Sequence, residues 1–315
     1  MLDILSITSV IFVVIGAGYL SVRFGVFSSA EMGTLGKFVV NLALPALIFR
    51  AVSSRPIAEL ANGGYLGSVL IGSLAVFVFG YLWSRRVAGE TSQASTFRAM
   101  GMSCANSGFV GYPVLLMALP EVASAALAMN MIVDNLVMIP LVLAMAERAH
   151  GAGRGRARLA AQIAWRLVRN PIVISLALGV SVSVSGIRLP MVIERPVDIL
   201  ASASAALSLA VIGGTLASLP LRSLNASILS VVVGKLLLHP LAVGLALAVL
   251  SAIGFGVGDV QLSAAAIIMA STPVMAIYPI LAQRFGEEQN AALAMFVMTL
   301  LSFFTISATL AITLP

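Results

Sequence analysis

The sequence is poor in cysteine, histidine and charge, and each scarcity closes off a class of function. Cys104 is the single cysteine, so no disulfide framework and no zinc-type cysteine cluster can form within the chain, and the redox compartment cannot be inferred. The two histidines, His150 and His239, stand 89 positions apart with no His-Glu-x-x-His pattern, which removes the helix-borne zinc site of a metalloprotease. No other metal-ligand spacing is present, and no metal or organic cofactor is expected. Charged residues make up 10% of the chain, against about 25% in a soluble domain. Long hydrophilic runs are missing too: the longest, Glu147 to Asn170, has 24 residues, which leaves no room for a soluble domain.

What is present is apolar. Hydrophobic residues make up 60% of the 315 positions, and uncharged runs recur at lengths that cross a hydrocarbon core, which takes roughly 20 helical residues. Reading these runs as helices gives an all-α integral membrane protein, 1–315, of ten spans: 4–22, 33–52, 63–83, 99–119, 122–146, 171–187, 198–219, 225–250, 261–283 and 290–313. The first run lacks a basic leader segment and is long for a signal peptide, so it reads as a retained span. The net charge of +6 could suggest nucleic acid, but the 16 Arg and 2 Lys lie mostly in the connections between apolar runs and build no basic domain. They read as topology signals. With the 147–170 connection in the cytoplasm, twelve arginines (23, 85, 86, 98, 148, 154, 156, 158, 166, 169, 222 and 284) share that side, and four (50, 55, 188 and 195) face the other. Both termini then lie outside a cytoplasmic membrane. Trp83 and Trp165, near span ends, fit interfacial anchors.

The chain also repeats itself. Ala125-Ala126-Leu127-Ala128-Met129 recurs as Ala291-Ala292-Leu293-Ala294-Met295, and the same offset of 166 pairs Tyr112-Pro113 with Tyr278-Pro279 and Glu121 with Glu287. Searching for such self-similarity comes before other fold reasoning. Each half, 1–146 and 171–315, holds five spans. An odd number makes the second copy enter from the opposite face, the inverted repeat that secondary transporters use around one site.

Prolines and glycines interrupt matching spans. The fourth holds Asn106-Ser107-Gly108-Phe109-Val110-Gly111-Tyr112-Pro113, and the ninth holds Ser271-Thr272-Pro273 and Tyr278-Pro279. Proline removes a donor and clashes with the preceding turn, and glycine loosens the backbone. Broken backbone at that depth survives only where protein or a water-filled cavity satisfies it, and the half-helix beyond each break presents a positive end that suits a carboxylate. Paired breaks point to a binding site, with candidate residues Asn106, Ser107, Gly111 and Pro113 on one side and Ser271, Thr272, Pro273 and Val274 on the other. The bland alternative is a pair of ordinary kinks.

The run Asn41-Leu42-Ala43-Leu44-Pro45-Ala46-Leu47-Ile48-Phe49, Asn106 followed by Gly111 and Pro113, and Pro273 with Pro279 resemble the auxin efflux carrier family, which includes plant PIN carriers and bacterial malonate or malate permease-like proteins. The resemblance covers essentially the whole chain. It implies a bile-acid-symporter-like, NhaA-like fold, with spans 1, 2, 6 and 7 as a scaffold that dimerises through spans 2 and 7. Spans 3–5 and 8–10 would form an elevator-type transport domain, with the broken spans crossing at the substrate. It further implies transport of small organic anions, auxin-like or dicarboxylate, with Asn106 and the backbone around Pro273 as contacts. Ala105 departs from the pattern, since plant members carry a proline there, and an indole ligand does not follow.

Charges within spans are functional hypotheses by default. Asp134 lies near the middle of the fifth span, with Asn130 one turn earlier and Asn135 beside it. Lys235 and His239 share a face of the eighth. Depth arithmetic places Asp134 and Lys235 within about 5 Å of the same level, so the two could pair, and either could serve H+ or Na+ coupling. Polar glue between helices is the competing reading, and for Asn41 in the second span it is the stronger one. Among alternatives, a sodium-coupled bile-acid-symporter-like carrier and a channel stay open. An intramembrane protease fits poorly: Asp134 is the lone central carboxylate, and Ala105-Asn106-Ser107-Gly108 lacks the first glycine of a Gly-x-Ser-Gly nucleophile. The reading is a carrier, not an enzyme.

Overall fold

A computed structural model describes residues 2–149, 156–187, 189–218, 226–283 and 285–314. Arg154, Arg188, Arg222, Arg284 and His150 lie outside the described residues. The described chain is helical with no named strand. Its elements are α1 (Leu2–Arg23), α2 (Ser29–Ser53), α3 (Gly63–Arg86), α4 (Ser92–Ser103), α5 (Ser107–Ala118), α6 (Pro120–Ala149), α7 (Arg156–Val168), α8 (Pro171–Ser185), α9 (Met191–Ala217), α10 (Ser227–Ala252), α11 (Val260–Ser271), α12 (Tyr278–Gln283) and α13 (Glu288–Thr313). Seven of these, α1, α2, α3, α6, α9, α10 and α13, are long and apolar enough to cross a membrane, and α8 joins them if its bent junction with α7, 64° at the break, is counted as one span. Length alone stops short of ten because the fourth and ninth apolar runs are each divided into pieces too short to cross.

Side-chain caps set where several helices begin. Ser28 and Glu31 close a reciprocal capping box at α2. Asn62, Thr91, Asn170 and Asp259 each accept a backbone N–H in the first turn of α3, α4, α8 and α11. The Thr91 cap starts the fourth run at Ser92, earlier than its uncharged stretch, because a capped polar turn with Arg98 continues the same helix. Counting uncharged residues missed α7 for a related reason. Its arginines hide the helical period, and the 147–170 connection contains a helix rather than only a loop.

Four helices widen locally, and proline explains each case. Residues 39–43, 107–111, 134–138 and 234–238 form π turns, closed by Leu44 N–H to Val39 O, Tyr112 N–H to Ser107 O, Ile139 N–H to Asp134 O and His239 N–H to Gly234 O. One residue beyond each closing donor comes Pro45, Pro113, Pro140 and Pro240. A proline ring collides with the carbonyl four residues back, here those of Asn41, Phe109, Leu136 and Leu236, and a wider turn moves that carbonyl aside. Single π turns inside α-helices are frequent at functional sites. The last three contain or directly follow Asn106, Asp134 and Lys235.

Two sets of helix contacts dominate the packing. α1 packs along α9, and α2 packs on both α8 and α9; α3 packs on α10 and α4, and α10 on α11. The α1–α9 contact is backbone on backbone: a Cβ at Gly213 would overlap Ile15 O, and one at Gly18 would overlap Ala210 O. Small residues permit this approach in a setting where apolar side chains gain nothing by leaving lipid. Gly213→Ala is therefore expected to lower the thermal unfolding temperature of detergent-purified protein by several degrees, in line with overpacking costs of about 1–3 kcal/mol. Gly33→Ala, where a Cβ meets nothing within 4 Å, is the control. Equal melting of the two variants would remove the close α1–α9 crossing.

Candidate functional site

The two interrupted runs meet. α4 stops at Ser103, Cys104 turns to extended backbone, and α5 restarts at Ser107. α11 stops at Ser271, and Thr272 is likewise extended. Ala105 and Val274 form an isolated antiparallel bridge, and Asn106 N–H donates to Pro273 O at 2.8 Å. Each break thus supplies the backbone partner that the other lacks, which is the condition for irregular backbone far from water. The junction is closed: Cys104, Ser271, Thr272 and Val274 are all fully buried.

Asn106 is the hinge of α5. Its backbone carbonyl accepts from Val110 and Gly111, and its side-chain oxygen accepts from Phe109 N–H at 3.3 Å. The N–H groups of Ser107 and Gly108 have no acceptor among the described residues. The start of α5 therefore presents two free donors and the positive end of a helix dipole at the crossing. Ser107 Oγ–H points the other way, to Asp134 Oδ2 at 3.5 Å. Gly111 is a contact residue, since a Cβ there would overlap Met269 Sδ of α11. Pro113 is the proline that widens the turn before it. Ser271 and Thr272 spend their hydroxyls on Ile268 O and Met269 O within α11.

Asp134 and Lys235 do not pair directly. Among the described residues, ion pairs form at Arg50–Asp198, Arg98–Glu90 and Arg166–Glu147. Lys235 is fully buried at 0% exposure and its Nζ donates to Ala270 O at 2.6 Å. It also lies 3.0 Å from His239 Nδ1. Asp134 accepts from Ser107 at the start of α5, whereas Lys235 is anchored at the end of α11, and the two lie within electrostatic reach without forming an ion pair. Depth arithmetic compares levels along the membrane normal and carries no information on which break anchors each residue.

The remaining polar candidates have structural work. Asn130 donates to Tyr65 Oη at 2.5 Å and to Ala126 O. Asn135 accepts from Asn170 Nδ2 at 3.2 Å, tying α6 to the cap of α8. Asn41 is exposed and bonds Lys37 O of its own helix, away from the crossing. Sequence reasoning passed over Tyr65, Ser73 and Cys104. Ser73 had a signal: it precedes His239 by 166 positions, the repeat offset, and its Oγ lies 2.9 Å from His239 Nε2.

The cap role of Asn106 sharpens its test. Asn106→Ala removes both a cap, worth about 0.5–2 kcal/mol, and an amide at the crossing, so instability alone could silence it. Asn106→Asp keeps the cap and places a negative charge where an anion would bind. It is expected to lose transport by tenfold or more, with its melting temperature and yield measured alongside to separate a folded variant that no longer transports from one that misfolds. Wild-type uptake by Asn106→Asp would exclude the crossing as the anion site.

The family model described as "Membrane transport protein" matches residues 4–310. The chain is 30% identical to "Putative malonate transporter" of Rhizobium meliloti (strain 1021), covering 98% of this chain and 96% of that protein. It is 26% identical to "Uncharacterized transporter YfdV" of Escherichia coli (strain K12) over 74% of both chains. It is 25% identical to "Lysosomal cholesterol signaling protein" of Mus musculus, over 73% of this chain but 28% of that protein. With a multi-helix apolar fold and family likeness from end to end, the chain belongs to the membrane transport protein family, that of the auxin efflux carriers.

Proposed function

We propose that the protein is a secondary carrier of small organic anions, which bind where the α4–α5 and α11–α12 breaks cross. The observation that carries this is the crossing itself: two buried breaks joined by Asn106 N–H and Pro273 O, with free donors at the start of α5. The malonate named for the Rhizobium relative makes a small dicarboxylate the first candidate substrate.

In this reading the ten spans form two inverted repeats, with α4–α5 as the broken fourth span and α11–α12 as the broken ninth. Support comes from paired contacts: α1 on α9 is matched by α8 on α2, and α5 on α6 by α12 on α13. The Ser73–His239 bond joins positions one repeat apart. The scaffold is α1, α2, α8 and α9, whose mutual packing is extensive. The transport domain is α3–α6 with α10–α13, and it moves as an elevator to expose the crossing to each side in turn. The scaffold pairs with a second copy through α2 and α9. Both termini face outward across the inner membrane, with the arginine-rich connection inside.

Purified protein in liposomes preloaded with malonate is expected to take up external radiolabelled malonate by counterflow, with saturation. Conductance far above carrier turnover, or no counterflow with any mono- or dicarboxylate, would refute the carrier reading. For orientation, a single cysteine placed at 152 in a Cys104→Ser background is expected to stay unlabelled by an impermeant thiol reagent in intact cells.

A further inference from the structure

Lys235 and His239 form a buried dyad on α10 that anion binding at the free donors of α5 does not require. Lys235 Nζ lies 3.0 Å from His239 Nδ1 and 2.6 Å from Ala270 O. His239 Nε2 lies 2.9 Å from Ser73 Oγ on α3. His239 is 2% exposed. Two nitrogens at this distance share a single hydrogen, because N–H set against N–H is repulsive and an imidazole nitrogen is either donor or acceptor. The dyad therefore carries a charge of zero or one, never two. Ser73, as both donor and acceptor, suits either ring tautomer. Ala270 O accepts only, so a hydrogen on Nζ stays directed at the penultimate residue of α11, next to the break.

The groups around the dyad are few. Asp134 on α6 and Cys104 in the first break lie within electrostatic reach of Lys235, and Tyr65 on α3 lies within reach of Asp134. α4 contributes Arg98, already paired with Glu90. α11 carries no titratable side chain, and α13 carries only Glu288 in its first turn. Net charge in this interior is costly. With one proton between them, Asp134 and the dyad sum to zero. With two, they sum to plus one, which cancels the charge of a bound monoanion and halves that of a dianion such as malonate.

We propose that Asp134 and the Lys235–His239 dyad together take up one additional proton when an anion binds and release it when the crossing opens on the other side. The proton comes from the water on the loading side, resides on a carboxylate oxygen or on the Nζ–Nδ1 pair during passage, and leaves to the water on the unloading side. No bond other than O–H and N–H is made or broken. The inference rests on the anion-carrier reading and names the group that couples transport to the pH gradient.

Wild-type protein in weakly buffered detergent near pH 8, mixed with malonate in the presence of a pH indicator, is expected to take up about one proton per malonate bound, and His239→Gln that still binds malonate is expected to take up at most half as much. In liposomes, His239→Gln and Lys235→Gln are each expected to lower the ratio of pH-gradient-driven accumulation to counterflow by at least tenfold. Malonate binding by the wild type without proton uptake would overturn the proposal, as would accumulation driven by sodium rather than by pH. So would an unchanged ratio in a variant that still exchanges malonate. Failure of the wild type to bind or exchange any mono- or dicarboxylate is a different result, since it removes the anion-carrier reading and the proton proposal with it.

Discussion

The rest of the site depends on one backbone constraint: two helices broken away from water must complete each other. Cys104 to Asn106 and Thr272 to Ile277 leave the helical ladder, and an unpaired buried peptide group costs about 1–3 kcal/mol. The Ala105–Val274 bridge and the Asn106–Pro273 bond remove part of that cost only while the breaks face one another. Everything nearby serves that meeting. Gly111 lets α5 approach Met269, Asn106 caps the restarted helix, and Lys235 holds the end of α11 through Ala270 O.

On the carrier reading proposed above, the same constraint makes the crossing a fit place for an anion. Restarting α5 leaves the Ser107 and Gly108 donors free at a positive dipole end, so the break that costs stability also creates the binding chemistry. Asp134, anchored at the start of α5, and Lys235, anchored at the end of α11, bring an acid and a base to the junction without joining them. A direct ion pair would fix the charge balance. Separate anchors, Ser107 for Asp134 and Ala270 with His239 for Lys235, leave it open to change when a charged ligand arrives.

Much of this was legible in the sequence, because proline and offset are local signals. Pro113, Pro273 and Pro279 located both breaks, and the offset of 166 tied them together. The rule that found two breaks stopped short of the π turns at 134–138 and 234–238. Pro140 and Pro240 were visible, but a wider turn keeps a helix continuous and leaves no polar interruption to read. The Ala270 carbonyl that holds Lys235 has no side-chain signature at all. Depth arithmetic likewise could not see that Asp134 and Lys235 are anchored at different breaks. Conversely, Asn41 stood inside the most recognisable motif, yet it is exposed and bonds its own helix. A motif residue can serve a lipid-facing or subunit-facing surface as readily as a site.

The native protein carries its own reporter at the crossing, since Cys104 is the single cysteine and is fully buried in the first break. The rate of Cys104 alkylation by N-ethylmaleimide, with and without saturating malonate, tests directly whether the crossing is a substrate site that opens during the cycle. The expected result is measurable alkylation that abolishes transport and is slowed at least fivefold by malonate. Alkylation that leaves transport intact, or a rate that malonate does not change, would contradict it.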